Sequence, residues 1–161
     1  VYMKYLFTLL MACLSLSTTY GTVHHDRRRG FVSRLDERGI HKCPVIDTPF
    51  TYEGGKDGLR RLLAQEGTCP KALFCASDLV SAGVLDCARY EYGLKVPEDV
   101  AIIGFDDIEL ASYSSYNITS FVQPMDSMVD KVLELLFSEE ARTESTSLTL
   151  FPCTLKTRGT A

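Results

Sequence analysis

None of the six cysteines forms a CxxC pair, which removes the usual ligand spacing of a structural zinc ion. Cys13, Cys75 and Cys153 fall in apolar, strand-like runs, where a thiol behaves as a small hydrophobe. The cysteines therefore read as reduced, and the compartment as cytoplasmic. Cationic clusters are scarce too. Only Arg27, Arg28 and Arg29 stand together, and the formal net charge is -4. The broad positive face that nucleic-acid binding needs is not expected of this chain. GxSxG, P-loop and GxGxxG motifs are all missing, and with them the common signatures of hydrolases and nucleotide sites. No Lys follows a strand as a phosphoryl-accepting carboxylate site requires. No pair of carboxylates is set apart by its surroundings as glycoside hydrolysis requires. His24 and His25 are adjacent in a loop and cannot offer both rings to one metal as an i, i+4 helical pair does. The expectation is no enzyme, no metal and no cofactor. Nor does a run long enough to cross a bilayer occur: Tyr5 to Leu16 falls short of the ~20 residues a spanning helix needs.

What is present is enough for one domain. The chain has 161 residues, 45% of them hydrophobic and 24% charged, the balance of an ordinary globular protein with a sizeable core. The most informative stretch is V-P-E-D-V-A-I-I-G-F-D-D, Val96 to Asp107. Pro97 suits the approach to a strand and not its middle. Val100 to Phe105 is apolar without alternation, the pattern of a central parallel strand covered on both faces. Asp106 and Asp107 follow at its carboxyl end, where open α/β sheets bind their ligands.

The rest of the chain alternates strand and helix at intervals of about 30 residues, the length of a βα unit. Strands are expected at Met11 to Leu16, Cys43 to Ile46, Ala72 to Ala76, Val100 to Phe105, Ile118 to Val122 and Leu148 to Lys156. Val1 to Ser17 has the look of a signal peptide, one Lys before an apolar run. Its small-residue cleavage pattern is poor, and the reading preferred is a helix end leading into the first strand. Helices are expected from Asp26, as N-cap, to about Arg38; from Glu53 to Gln65; from Ser77 or Asp78 to about Tyr92; and from Met125 to Ser138. The last is strongly amphipathic, with Met128, Val129, Val132, Leu135 and Leu136 on one face.

Polar groups recur at strand ends: Asp47, Ser77-Asp78 and Asp106-Asp107. In a parallel sheet those ends share one edge. Helix capping is the simpler account of Ser77 and Asp78, since both residue types are favoured at N-caps. For Asp106 capping is a poorer account, because Ile108 to Tyr113 makes a weak helix. Carboxylates accept from the hydroxyls of sugars and nucleosides, and a guanidinium complements them. Arg27 falls at the same sheet edge, and Phe50 is placed to offer an apolar face to a sugar or base ring. A solvated charge run is the competing account of the arginines.

Several blocks carry a family likeness: D-R-R-R-G-F (Asp26 to Phe31), F-C-A-S-D-L-V-S-A-G-V-L (Phe74 to Leu85), Y-G-L-K-V-P-E-D-V-A-I-I-G-F-D-D-I-E-L-A (Tyr92 to Ala111), I-T-S-F-V-Q-P (Ile118 to Pro124) and L-K-T-R-G-T (Leu155 to Thr160). In that order and spacing the chain resembles the effector-binding region of LacI/GalR-type transcriptional regulators. The resemblance implies an α/β fold, a parallel-sheet α/β/α sandwich of the type I periplasmic-binding-protein kind. It implies that about 11–122 and 148–158 form mainly the C-terminal subdomain, with 125–138 as the crossover helix of a missing N-terminal subdomain. A helix-turn-helix and hinge helix are absent from this chain, so DNA contact belongs to another part of such a regulator. Effector contacts are implied at Arg27, Phe50, Ser77, Asp78 and Asp106, for a sugar or nucleoside, in a homodimer assembled partly through Glu53 to Gln65. The competing reading is a periplasmic sugar-binding protein of a transporter.

Overall fold

The computed structural model describes residues 11–15, 22–137 and 148–161. Strands β1 (Met11–Ser15), β2 (Val45–Asp47), β3 (Ala72–Cys75), β4 (Ala101–Phe105), β5 (Thr119–Val122) and β6 (Thr154–Lys156) form one sheet in the order β2-β1-β3-β4-β5-β6. The first five run parallel, and β6 lies antiparallel on β5. Helices α1 (Thr22–Asp36), α2 (Tyr52–Glu66), α3 (Asp78–Asp86) and α4 (Met125–Phe137) follow β1, β2, β3 and β5. The signal-peptide-like residues before Met11 lie outside the described residues, but the apolar run's end is a strand between β2 and β3.

Side-chain alternation sorts the core onto two faces. Leu73, Cys75, Ile102 and Ile118 point to one side and meet Leu59 and Leu62 of α2 and Val80, Val84 and Leu85 of α3. Each large aliphatic so buried contributes about 1.5–3 kcal/mol. Phe74 and Ala76 point to the other side, with Phe31, Val45, Ile103, Phe105 and Phe121 around them. Phe31 of α1 stacks on Phe74 at 4.6 Å between ring centroids. The three-layer α/β/α expectation therefore holds. The expectation of two fully covered faces at β4 does not: Ile102 and Gly104 are buried, whereas Ala101, Ile103 and Phe105 are only partly so. Among the described residues, α1 covers that second face through Phe31 and leaves those positions partly exposed.

Capping residues set the helix ends. The Thr51 hydroxyl accepts from Gly54 N at 3.0 Å to open α2, and Gly67, at φ 69°, closes it. Ser77 opens α3 by accepting from Val80 N at 3.3 Å. The α3 path continues through a wider π turn, Cys87–Glu91. Asp26 is not the cap of α1: the helix begins at Thr22, and Asp26 sits within it, paired with Arg29 at 2.9 Å. The apolar spacing of Phe31 and Leu35 marked the helix body but left its start undefined. Gly39, at φ 78°, ends the turn that follows α1.

Helices α2 and α3 approach at backbone distance. A Cβ placed on Gly83 would lie 1.9 Å from Tyr52 O, and one on Gly55 would lie 2.2 Å from Val80 O. Tyr52 and Tyr116 both donate to Asp86 Oδ2, at 2.7 and 3.3 Å. The Asp86 carboxylate raises the Tyr52 hydroxyl's pKa well above its ordinary value.

The C-terminal segment completes the sheet's far side. Ile102 N donates to Thr160 O at 2.7 Å, and the buried Thr160 hydroxyl donates to Ile102 O at 2.7 Å while accepting from Thr119 N. The expected strand from Leu148 is shorter than the sequence suggested, Thr154–Lys156, and Cys153 is exposed just before it instead of lying in a core strand. Pro152, without an N–H, cannot join the ladder there. Cys75 behaves as expected, buried and with its thiol pushed up to about 12 by burial. Helix α4 stands apart: none of its residues is buried, and Leu136 and Phe137 are 71% and 84% exposed.

Candidate functional site

The carboxyl ends of β3, β4 and β5 bring the chemistry to one edge. From α1, Arg27 reaches back over the sheet. One guanidinium nitrogen donates to Ala76 O at 2.8 Å, just past β3, and another donates to Asp106 Oδ1 at 2.8 Å, just past β4. The guanidinium carbon lies over the Phe105 ring, 4.1 Å from its centroid, a cation–π arrangement that suits Arg better than Lys. Gln123, one residue past β5, donates its Nε2 to the same Asp106 Oδ1 at 2.7 Å. The side chains of Arg27 and Asp106 are 13% and 25% exposed, so the pair is shielded on one side and open on the other. Asp106 Oδ2 has no partner among the described residues and remains an acceptor for a hydroxyl donor.

The loop that carries Asp106 is unusual. Asp106 and Asp107 have φ of 106° and 51°, left-handed values that cost a non-glycine residue roughly 1–3 kcal/mol and that Asp tolerates better than most. Three backbone amides and the Asp107 carboxylate hold it. Asp106 N donates to Phe121 O at 3.0 Å. Asp107 N donates to the Ser120 hydroxyl at 3.2 Å. Ile108 N donates to Asp78 Oδ2 at 2.9 Å. Arg158 forks between Asp107 Oδ1 and Ile118 O, and Lys156 lies 3.3 Å from Asp107 Oδ2.

The sequence candidates thus divide. Arg27 and Asp106 meet directly. Phe50, past β2, is half-buried and packs on both parts of the core. Ser77 is 5% exposed and caps α3. Asp78 is completely buried, with Oδ1 accepting from Ser120 Oγ at 2.6 Å and Oδ2 from Ile108 N. Burial pushes its carboxyl up to about 6 against the lowering pull of those two hydrogen bonds. Asp47 stays apart, exposed and paired with Arg28 at 3.2 Å. Gln123, Ser120 and Arg158 were not singled out from sequence. Gln123 follows a strand end as Asp106 does, and the same rule applied to β5 would have found it. Ser120 and Arg158 carry no such signal, because their roles depend on which strands are neighbours.

A groove of about 740 Å³ lies elsewhere, on the other side of α1, lined by residues including Arg28, Val32, Asp36, His41 and Val45. It shares no residue with the Arg27–Asp106 edge. Among the described residues no group of His, Cys, Asp and Glu is arranged to hold a metal ion, and no helix is long and apolar enough to cross a membrane.

Comparison with known proteins decides the family. The periplasmic binding protein-like domain matches residues 10–161. The chain belongs to this family. Within it, the likeness is to LacI-type transcriptional regulators. The chain is 36% identical over 105 residues to the ribose operon repressor of Haemophilus influenzae, covering 64% of this chain and 31% of that protein. It is 32% identical over 139 residues to the HTH-type transcriptional repressor PurR of Salmonella paratyphi B, covering 84% of this chain and 40% of the repressor. A solved transcriptional regulator, CelR in complex with cellobiose, superposes with a TM-score of 0.78 at 26% identity, over 93% of this chain and 46% of its own. The chain therefore spans less than half the length of these relatives. Each is named a repressor or regulator, which favours the regulator reading over the transporter reading.

Proposed function

We propose that this chain is part of the effector-sensing region of a cytoplasmic transcriptional regulator, and that its guest is a small hydroxylated molecule, a sugar or nucleoside. It acts by binding, not by catalysis. The observation that carries this reading is the Arg27–Asp106 pair, held at the carboxyl edge of the sheet with Gln123 on the same oxygen. That edge offers a cation with fixed donors beside an anion with a spare acceptor, the complement of a polyol's mixed hydroxyls. Asp106 accepts from the guest, Arg27 donates to it, and Phe50 lends a ring face. Ser77 and Asp78, as the helix cap and a buried acceptor, act behind this surface. The sugar seen with CelR supports the substrate class.

Binding shifts an equilibrium between two arrangements of the regulator and so alters its grip on DNA, through a DNA-binding part that lies outside this fold. The regulator works as a homodimer, with α2 near the contact and α4's apolar face against protein and not water. The test is a thermal-shift and calorimetric screen of pentoses, hexoses, disaccharides and nucleosides against the intact regulator. A hit abolished in Asp106→Asn and weakened at least tenfold in Gln123→Ala supports the reading. A hit that both variants bind unchanged removes this edge from the site.

A further inference from the structure

Asp78 is buried completely, yet no cation among the described residues meets it. An ionisable group so placed is costly unless its oxygens are well used. Both are used on one object, the loop after β4. Oδ2 takes the Ile108 amide directly at 2.9 Å. Oδ1 takes the Ser120 hydroxyl at 2.6 Å, and that hydroxyl in turn accepts the Asp107 amide at 3.2 Å. One carboxylate therefore holds two consecutive amides of the left-handed turn, one of them through a serine on β5. Space for it is made by Gly104, where a Cβ would lie 2.1 Å from Asp78 Oδ1 and 2.8 Å from Ser81 Oγ. The sequence run I-I-G-F-D-D thus contains both the turn and the gap that admits its clamp.

We propose that Asp78, working through Ser120 and the gap at Gly104, is a positioning residue that sets the Asp107–Ile108 backbone and so aims the Asp106 carboxylate at Arg27. The proposal rests on the reading that the Arg27–Asp106 edge takes the effector, and it adds how that edge is held. Helix α3, strand β5 and the β4 loop are joined at one buried point. A shift of α3 is therefore transmitted to the carboxylate that meets the guest. A neutral acceptor of the same shape preserves the geometry: in Asp78→Asn the amide oxygen accepts from Ile108 and the amide nitrogen donates to the Ser120 hydroxyl, which can reverse its role. Asp78→Ala removes both acceptors.

The test needs no ligand. Amide hydrogen exchange and the Arg27 guanidinium resonances are measured by NMR on the full chain, with the Leu73 and Ile103 amides as internal references for global opening. Asp78→Ala is expected to speed exchange at Ile108 at least tenfold over the references and to move the Arg27 side-chain signals toward those of an unpaired arginine. Asp78→Asn is expected to restore both. Ser120→Ala is expected to speed exchange at Asp107 and spare Ile108, and Gly104→Ala to mimic Asp78→Ala. If Asp78→Ala does not fold, the Ser120 and Gly104 variants carry the test alone. Exchange that rises equally at loop and reference amides makes Asp78 a general stabiliser and overturns the proposal. So does a loosened loop with unchanged Arg27 signals. If instead these outcomes hold while Asp106→Asn leaves effector binding intact, the clamp stands and the effector reading falls.

Discussion

Replacing Gly83 by Ala isolates the contact that fixes α2 against α3. Helix propensity alone favours the change by about 0.5–1 kcal/mol, because Ala loses less conformational entropy than Gly in a helix. The tertiary structure opposes it. The new Cβ would lie 1.9 Å from Tyr52 O and 2.9 Å from Tyr52 C. A carbon and a carbonyl oxygen need more than 3 Å, so the first turn of α2 must retreat by over 1 Å, by simple subtraction of contact radii. That turn is pinned by the Thr51 cap and by Leu59 and Leu62, both fully buried. Overpacking of this kind costs about 1–3 kcal/mol or more. The net expectation is a loss of up to about 2.5 kcal/mol, which lowers the melting temperature by up to roughly 10 °C for a domain of this size. Gly30→Ala is the matched control, a helical glycine with nothing within 4 Å of its Cβ. It should raise the melting temperature by about 1–3 °C through propensity alone. Thermal denaturation followed by circular dichroism measures both. Equal stabilisation by the two substitutions would refute the close approach of these helices.

Other substitutions test the site and its supports. Asp78 titrates near 6 in the folded chain against an ordinary 3.8, so the folded state binds the proton more tightly than the unfolded one. Its contribution is most favourable below about pH 4 and is lost as pH rises through about 6, by at most about 3 kcal/mol. Chemical denaturation from pH 4 to 7 should show Asp78→Asn gaining stability relative to the parent across that window. A constant difference would contradict the raised value. Arg27→Lys should weaken effector binding at least tenfold, because a point-like ammonium cannot span Ala76 O and Asp106 while lying over Phe105; calorimetry with any hit from the sugar screen decides. Arg158→Ala should cost about 2–3 kcal/mol, since Asp107, whose side chain is 12% exposed, keeps only Lys156 as a charged partner among the described residues. Urea denaturation checks the loss, and Lys156→Ala, on the exposed side, should cost under about 1 kcal/mol.

The order of elements was legible from residues 11 to 156 because each signal was local. Val100 to Phe105 read as a buried strand, and the 30-residue spacing implied parallel pairing. The meeting of Arg27 and Asp106 at one edge was legible because carboxyl ends of parallel strands share an edge whatever the side chains do. Errors fell where the sequence signal was weak or depended on neighbours. The start of α1 was placed at Asp26 because an acid near a helix start resembles a cap, while the polar residues before it gave no periodicity to follow. The final strand was overextended, because an apolar run at a sheet edge looks the same whether or not a partner strand reaches it.

Sequence by itself settled what kind of elements form and which end of the sheet gathers polar groups, since hydrophobic periodicity and cap chemistry act over a few residues. Tertiary structure alone decided what those groups do. Asp78 and Asp106 carry the same carboxylate at equivalent strand ends, yet the first is buried against Ser120 and Ile108 and the second faces Arg27 at the surface. Their difference arises from residues 30 or more positions away, on elements whose adjacency exists only once the sheet has closed.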